Sequence, residues 1–347
     1  MWIQLGMALA VGIIPEAADV AYRQPRVAVD GSRVAVAFGT GDTVRVAVSN
    51  DQGKTFSHPV QVFPAPGESG KLALGRHRGP RIAMSGKTLV ISAIVGAQGG
   101  GRDGDVVAWR STDGGKTWSR GVRVNDVEGA AREGLHAMGG EGNTLLNVWL
   151  DLRQKGTRLY GSVSKDGGAT WAANKLIYES PDQHICECCH PMVHASSGAL
   201  HVMWRNWLSG SRDMYTATSA DGGLTFGKAS KLGTGTWPLN ACPMDGGGLA
   251  ADTNGQLWSA WRRENNVILA GPDGKEHDLG KGKDPAIARL RDGVVVAWTL
   301  DGVRIVRKGS PPEVLDAAGA YVDLAAGRDF VIAAWESGKT IQIARVE

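Results

Sequence analysis

The sequence lacks the runs of Ala, Leu, Glu and Lys from which helices are built, although it has 347 residues in which to place them. It also lacks an apolar run of the ~20 residues that a membrane span requires; the apolar run from Ile3 to Ile14 is too short. No charge of one sign predominates: 38 Lys and Arg are interspersed with 35 Asp and Glu, for a net charge of +3. There is therefore no basic stripe to hold nucleic acid and no acidic tail. Cysteine is scarce, with four residues of which three stand together. What the chain has in quantity is glycine, 49 residues, and tryptophan, 12 residues. That pairing belongs to many short strands joined by tight turns, an all-β chain.

A repeat organises those strands. One strand recurs with a large apolar residue at its end: Val34 to Phe38, Val90 to Ile94, Leu146 to Trp149, His201 to Trp204, Trp258 to Trp261, Val295 to Trp298 and Ile332 to Trp335. The end positions are separated by 56, 55, 55, 57, 37 and 37 residues, which makes seven units. Many units begin with a strand opened by proline (Pro25, Pro80, Pro191, Pro243, Pro285), and a third and fourth strand follow the recurring one in most. One four-stranded antiparallel sheet per repeat is the blade of a β-propeller. Seven blades are expected, or six if one short unit folds as an insertion.

The last unit shows three strands, ending at Val346, so its fourth is expected from the N-terminal segment. Residues 1–18 read either as that closing strand or as an export signal, with 19–347 a single propeller domain. The apolar run and the small residues after it suit a signal, but no Lys or Arg precedes them. Together with the cysteine usage this gives a periplasmic or secreted location as the expectation.

Four segments carry a further motif. Ser49 to Phe56, Ser111 to Trp118, Ser164 to Trp171 and Ser219 to Phe226 each fit Ser-x-Asp-x-Gly-x-Thr-Trp/Phe, with Asp51, Asp113, Asp166 and Asp221 at the acidic position. The pattern reads as a hairpin turn between third and fourth strands. The carboxylate takes backbone N–H groups, the glycine takes positive φ and the aromatic fills the space beside the next blade. These segments resemble the Asp-box, or BNR repeat, of the sialidase superfamily. The resemblance implies a structural role for them on the face opposite the working mouth.

Residues just before each first strand and just after each second strand should line that mouth. They include Gln24, His77, His190, Asp284 and Tyr321 before first strands, and Asp42, Asp151, Arg205, Arg262, Glu264 and Glu336 after second strands. So many ionisable groups in one place are costly unless paired, solvated or bound to a ligand. The sialidase resemblance assigns roles to some of them. Tyr22-Arg23-Gln24-Pro25 is similar to that family's Arg-x-Pro signature, so Arg23, Arg205 and Arg262 would form the triad that grips a substrate carboxylate. Tyr321-Val322-Asp323-Leu324 is similar to the context of its nucleophilic tyrosine, which would leave Glu264 as the proton acceptor and Asp42 as the acid. The chain departs from the family in three ways: no arginine-rich stretch precedes Asp42, the repeats number seven where sialidases have six blades, and the cysteines are extra.

Those cysteines form a competing site. Cys186, Cys188, Cys189 and His190 open the fourth unit and Cys242 the fifth; Pro191 and Pro243, 52 residues apart, mark equivalent places on adjacent blades. The sulfurs should therefore lie together near the mouth. Three chemistries fit: disulfides involving Cys242, a copper or zinc site of thiolates with His190, or covalent haem at the Cys-x-x-Cys-His pattern. The Cys-x-Cys-Cys segment with a later Cys-Pro also resembles a group of bacterial sialidase-like proteins. The expected function is a propeller that binds and hydrolyses an anionic glycan, with a metal-binding propeller as the alternative. A propeller that only docks a protein partner is a third class.

Overall fold

A computed structural model describes residues 10–347 except 292 and 308. Among the described residues there are twenty-nine strands and no helix. They form seven antiparallel sheets, one per repeat. Blade 1 holds strands Arg23–Asp30, Arg33–Thr40, Thr43–Ser49 and Val60–Phe63, and blades 2 to 6 repeat that order, blade 2 with a short fifth strand, Lys71–Leu72, on its second strand. Their first strands are Arg81–Ser85, His136–Glu141, Met192–Ser196, Gly247–Ala251 and Lys283–Leu290. Blade 7 is assembled from both chain ends: Gly319–Ala326, Val331–Ser337 and Thr340–Val346 are completed by Val11–Ile13, which pairs antiparallel with the last strand. The first strands touch their neighbours all the way round, blade 7 meeting blade 1. The ring has seven blades, and the six-blade alternative does not hold.

The recurring second strand is the heart of every blade. Its end residues Phe38, Ile94, Trp149, Trp204, Trp261, Trp298 and Trp335 are all buried. Each hydrophobic cluster draws on two adjacent blades, as Ile332 and Ala334 of blade 7 join Val34, Val36 and Phe38 of blade 1. Burying a large aromatic there is worth ~3–5 kcal/mol against truncation, so the blades cohere through their faces.

The four Asp-boxes cap the third-to-fourth strand turns of blades 1 to 4. In each, the Asp carboxylate accepts the Thr backbone N–H and hydroxyl and the Ser hydroxyl: Asp51 takes Thr55 N at 2.9 Å, Thr55 Oγ1 at 2.6 Å and Ser49 Oγ at 2.6 Å. Those bonds pull the Asp51, Asp113, Asp166 and Asp221 carboxyls well below the usual carboxylate range. The box glycine has positive φ and packs on the preceding blade: a Cβ on Gly168 of blade 3 would stand 2.7 Å from Val90 of blade 2. The aromatics follow it. Phe56 packs with Ile332 and Trp171 with Val90, so they fill the seam with the preceding blade rather than the next one as expected.

At the other end of the strands the backbone is bent. The first strands of blades 1, 6 and 7 carry bulges between Arg23 and Arg26, Lys283 and Ala286, and Ala320 and Asp323. Gln24, Asp284 and Tyr321 in those bulges, and His77 before the first strand of blade 2, all have φ between 54° and 59°. A non-glycine residue in that region costs ~1–3 kcal/mol, and a bulge re-aims a side chain out of the ladder. The fold accepts that cost where the four side chains meet at the axis.

Candidate functional site

A continuous set of contacts crosses the mouth. Glu336 Oε1, on blade 7, accepts from Gln24 N at 2.7 Å and Gln24 Nε2 at 3.0 Å. Gln24 Oε1 in turn accepts from His77 N at 2.9 Å. His77 Nε2 lies 2.8 Å from Asp284 Oδ1, which also receives Arg76 at 3.1 Å. Asp284 N donates to Asp245 Oδ2 at 3.1 Å. The His77 ring stacks on His190 at 4.5 Å and meets Tyr321 edge-on at 5.8 Å. Six blades thus contribute to one polar cluster that is largely buried.

Its electrostatics divide the acids. Burial pushes the Asp284 carboxyl up, but the hydrogen bond and charge of His77, with Arg76, hold it below the ordinary value. Asp245 is raised by burial and by the neighbouring Asp284. Burial also raises Glu336 and, with the Asp284 charge, Tyr321. Three atoms in the cluster have no partner: Asp245 Oδ1, Asp284 Oδ2 and His190 Nδ1. A chamber of about 20 Å³ lies against Gln24, His77, His190, Asp284 and Tyr321.

The residues expected from sequence fall into groups. Tyr321 stands in the cluster, but the carboxylates acting on it are Asp284 and Glu336. Glu264 is exposed in the turn after its strand, its carbonyl receiving Arg262 Nε at 2.6 Å. Asp42 lies in the corresponding turn of blade 1, paired with Lys71 at 2.8 Å. The arginines are split. Arg205 is 1% exposed and its guanidinium donates to the carbonyls of Arg212 and Arg262 at 2.8 and 2.9 Å. Arg262 shares the ring of Trp237 with it, at 5.5 and 5.2 Å. Arg23 belongs to the seam of blades 1 and 7, where it donates to Gly338 O at 2.7 Å and stands 3.6 Å from Glu336. Arg205 is committed to backbone carbonyls, so it does not present a free guanidinium. Sequence reasoning missed Arg76 and Asp245. The only signal for Asp245 was its place three residues beyond Cys242, where the proline-opened strand of blade 5 begins.

Outside the cluster, a cleft of about 500 Å³ lies between blades 5 and 6, lined by Arg262, Lys281, Lys283 and Asp301. Lys281 and Lys283 are exposed. Thr299 also lines the cleft, and its Oγ1 accepts the backbone N–H of Tyr321 at 3.2 Å. Thr299 is thus the wall residue that links the cleft to the backbone of Tyr321.

The cysteines gather beside the same cluster. Cys186 Sγ lies 3.3 Å from Cys189 Sγ and 3.6 Å from Cys188 Sγ, and the remaining pair is 4.0 Å apart. Cys186 and Cys189 are buried and Cys188 half-buried. Arg212 donates to Cys186 Sγ at 3.0 Å, and Asp245 N to Cys189 Sγ at 3.4 Å, which ties the thiols to the axial acids. Hydrogen bonds from Cys188 and Cys189, with the Arg205 and Arg212 charges, hold Cys186 low, at about 3. Burial drives Cys189 the other way. Cys242 is exposed and interacts with Cys188, which pushes it up to about 11. All four thiols are free, so the expected disulfide is not found. Four Zn–S bonds of about 2.3 Å in a tetrahedron place sulfurs ~3.8 Å apart, and the observed separations bracket that value. Haem does not fit: the two thiols that would carry it, Cys186 and Cys189, are buried, and the His190 ring that would be its axial ligand stacks on His77 instead. His190 does not join the thiols, because its ring turns to the axis and stacks on His77.

Known proteins place the chain as follows. The α-L-arabinanase of Penicillium chrysogenum, solved with arabinobiose, is 14% identical, covers 98% of each chain and superposes with a TM-score of 0.62. A PL25 polysaccharide lyase, an ulvan lyase, is 11% identical over 94% of each chain with a TM-score of 0.56. The GH93 α-L-arabinofuranosidase of Fusarium graminearum, solved with arabinobiose, is 13% identical over 98% of each chain, also at 0.56. At these identities the likeness is one of fold. Comparison with curated proteins gave no match. The BNR repeat-like domain matches residues 43–304, three quarters of the chain and all four Asp-boxes. This chain belongs to the BNR repeat-like family of β-propellers.

Proposed function

We propose that the chain is a carbohydrate-active propeller that binds an anionic glycan in the cleft between blades 5 and 6 and cleaves it at the axial mouth. One observation carries the reading: a cleft with three cations and one acid opens next to the mouth, and Thr299 in its wall bonds the backbone of Tyr321, whose phenol lies near Asp284 and Glu336. Its size is that of a small-ligand site, and Arg262, Lys281 and Lys283 supply the charge that a carboxylate- or sulfate-bearing sugar would meet. In this reading the Tyr321 phenol attacks the anomeric carbon and passes its proton to Asp284, the glycosidic C–O bond breaks as the leaving oxygen takes the proton of Glu336, and water then hydrolyses the tyrosyl–sugar bond and restores both groups; a neutral nucleophile avoids repulsion by the anionic substrate. The solved relatives, arabinan-active enzymes and an ulvan lyase among them, support a glycan and leave its identity to experiment.

The test is a panel of sialosides, uronate-containing oligosaccharides and neutral arabino-oligosaccharides offered to wild type and to Tyr321→Phe. Cleavage of an anionic member by wild type, with a loss of ~10³-fold or more in the variant at unchanged thermal stability, is expected. Folded wild type that neither binds nor cleaves any anionic member overturns the proposal.

The thiols favour a second reading, a soft-metal site. The observation is three reduced sulfurs at 3.3 to 4.0 Å with Cys242 beside them. Thiolates suit copper(I) or zinc. Elemental analysis of anaerobically purified protein should find about one such ion per chain that Cys186→Ser removes; metal-free protein with four titratable thiols ends this reading.

A further inference from the structure

The axial cluster holds two buried carboxylates that are each paired through one oxygen, Asp284 Oδ1 with Arg76 at 3.1 Å and Asp245 Oδ2 with Arg262 at 3.7 Å. Asp245 and Asp284 come from blades 5 and 6, both are buried, and their carboxylates and the His77 imidazole offer ligand atoms that all lie within 4.8 Å of one another. Two carboxylates at that separation repel each other, and the arginines beside them face only one oxygen of each. Each also has an oxygen with nothing to bond. Asp245 is 0% exposed with Oδ1 unpartnered, and Asp284 is 5% exposed with Oδ2 unpartnered. Buried polar atoms are almost always satisfied, and an orphan in a native structure points to an ion or water that completes it.

The remaining partners leave those oxygens free in an ordered way. Arg76 and His77 engage Asp284 through Oδ1 alone. Asp245 receives the Asp284 backbone through Oδ2, with Arg262 at 3.7 Å from the same atom. The second oxygen of each carboxylate is thus held in place and unused. The backbone pays for this arrangement, since His77 and Asp284 both sit at positive φ. The adjacent chamber of about 20 Å³ has room for one water-sized ligand.

We propose that His77, Asp245 and Asp284 form a binding site for one divalent cation of the zinc class, held by an imidazole nitrogen and two carboxylate oxygens, with a further position open to the chamber beside Tyr321. Mixed nitrogen and oxygen donors suit zinc and its first-row neighbours better than calcium or magnesium, which prefer oxygen alone. Binding replaces the hydrogen bond between His77 Nε2 and Asp284 Oδ1. The site is distinct from the thiols, although the Asp245 backbone touches Cys189. It does not rest on the glycan reading, because cation uptake is measured without substrate.

Cobalt(II), a coloured stand-in for zinc, tests it on chelator-treated protein under anaerobic conditions. Thiolate-bound cobalt shows an intense charge-transfer band, whereas nitrogen- and oxygen-bound cobalt shows weak visible bands only. Wild type should take up one equivalent of the weakly absorbing kind in addition to any thiolate-bound ion. Asp284→Asn and Asp245→Asn should lose that equivalent, with affinity lower by ~100-fold or more, and keep any thiolate band. Cys186→Ser/Cys188→Ser/Cys189→Ser should show the reverse. Wild type that binds no weakly absorbing cobalt overturns the proposal and leaves the two carboxylates sharing a proton. Equal binding of that cobalt by folded Asp284→Asn and Asp245→Asn overturns it as well. If the triple serine variant does not fold, the wild-type and single-variant arms still decide.

Discussion

The two faces of the propeller handle the same residue type in opposite ways. On the Asp-box face every one of the four aspartates is closed by a serine, a threonine and the backbone of its own turn, near solvent. At the mouth Asp245 and Asp284 are buried, lie close together, come from different blades, and each keeps one oxygen unpaired. The first arrangement is local and self-sufficient, so it can be repeated wherever a hairpin recurs. The second requires the whole ring and stays incomplete in the protein alone, which is how a binding site differs from a structural one.

Four measurements sharpen or break that contrast. The largest effect belongs to the seams that support both faces: Trp204→Ala, which empties a buried ring position between blades 3 and 4, should cost ~3–5 kcal/mol by denaturant unfolding. A loss under about 1 kcal/mol would mean that the seams are not the source of cohesion. Next is Gly168→Ala, which forces a Cβ at positive φ against Val90 and should destabilise by ~1–3 kcal/mol while leaving cobalt uptake at the mouth unchanged. A change in uptake would couple the faces and break the comparison.

The smaller effects concern pH, and their signs are opposed. Asp113 has its carboxyl lowered in the fold, chiefly by the Thr117 hydroxyl, so its stabilisation is present above the unfolded value of ~3.9 and is lost as pH falls below it. Thermal melts should show the advantage of wild type over Asp113→Asn shrinking on acidification. Glu336 has its carboxyl raised by burial, so its contribution is fullest below the unfolded value of ~4.3 and declines as pH rises through its folded value. Wild type should therefore lose ground to Glu336→Gln as pH rises above the unfolded value. The same sign for both variants would show that the two faces do not differ electrostatically.

The architecture was legible in the sequence because it is periodic. The large apolar ends of the second strands set the blade count, and the short last unit pointed to a fourth strand from the N-terminal segment, where Val11–Ile13 pairs with the last strand. The convergence of Cys189 with the start of blade 5 followed from the same period. The partners inside the mouth were not legible. Whether Tyr321 faces Glu264 or Glu336 depends on the rotation of side chains at bulges, and a bulge moves a residue off the two-residue alternation on which such reasoning rests. Arg205 was placed at the right end of its strand, but the backbone carbonyls that occupy it come from Arg212 and Arg262, which no motif announces. Asp245 escaped notice because its neighbours Cys242 and Pro243 carried the stronger signal.

The pairing of Val11–Ile13 with Thr340–Val346 makes the two ends of the chain a latch. Its halves are more than 320 residues apart, so sealing the ring requires a contact of very long sequence separation, the kind that forms slowly in folding. A chain that lacked Val11–Ile13 would have the outer edge of the seventh sheet bare, able to recruit a strand from another molecule.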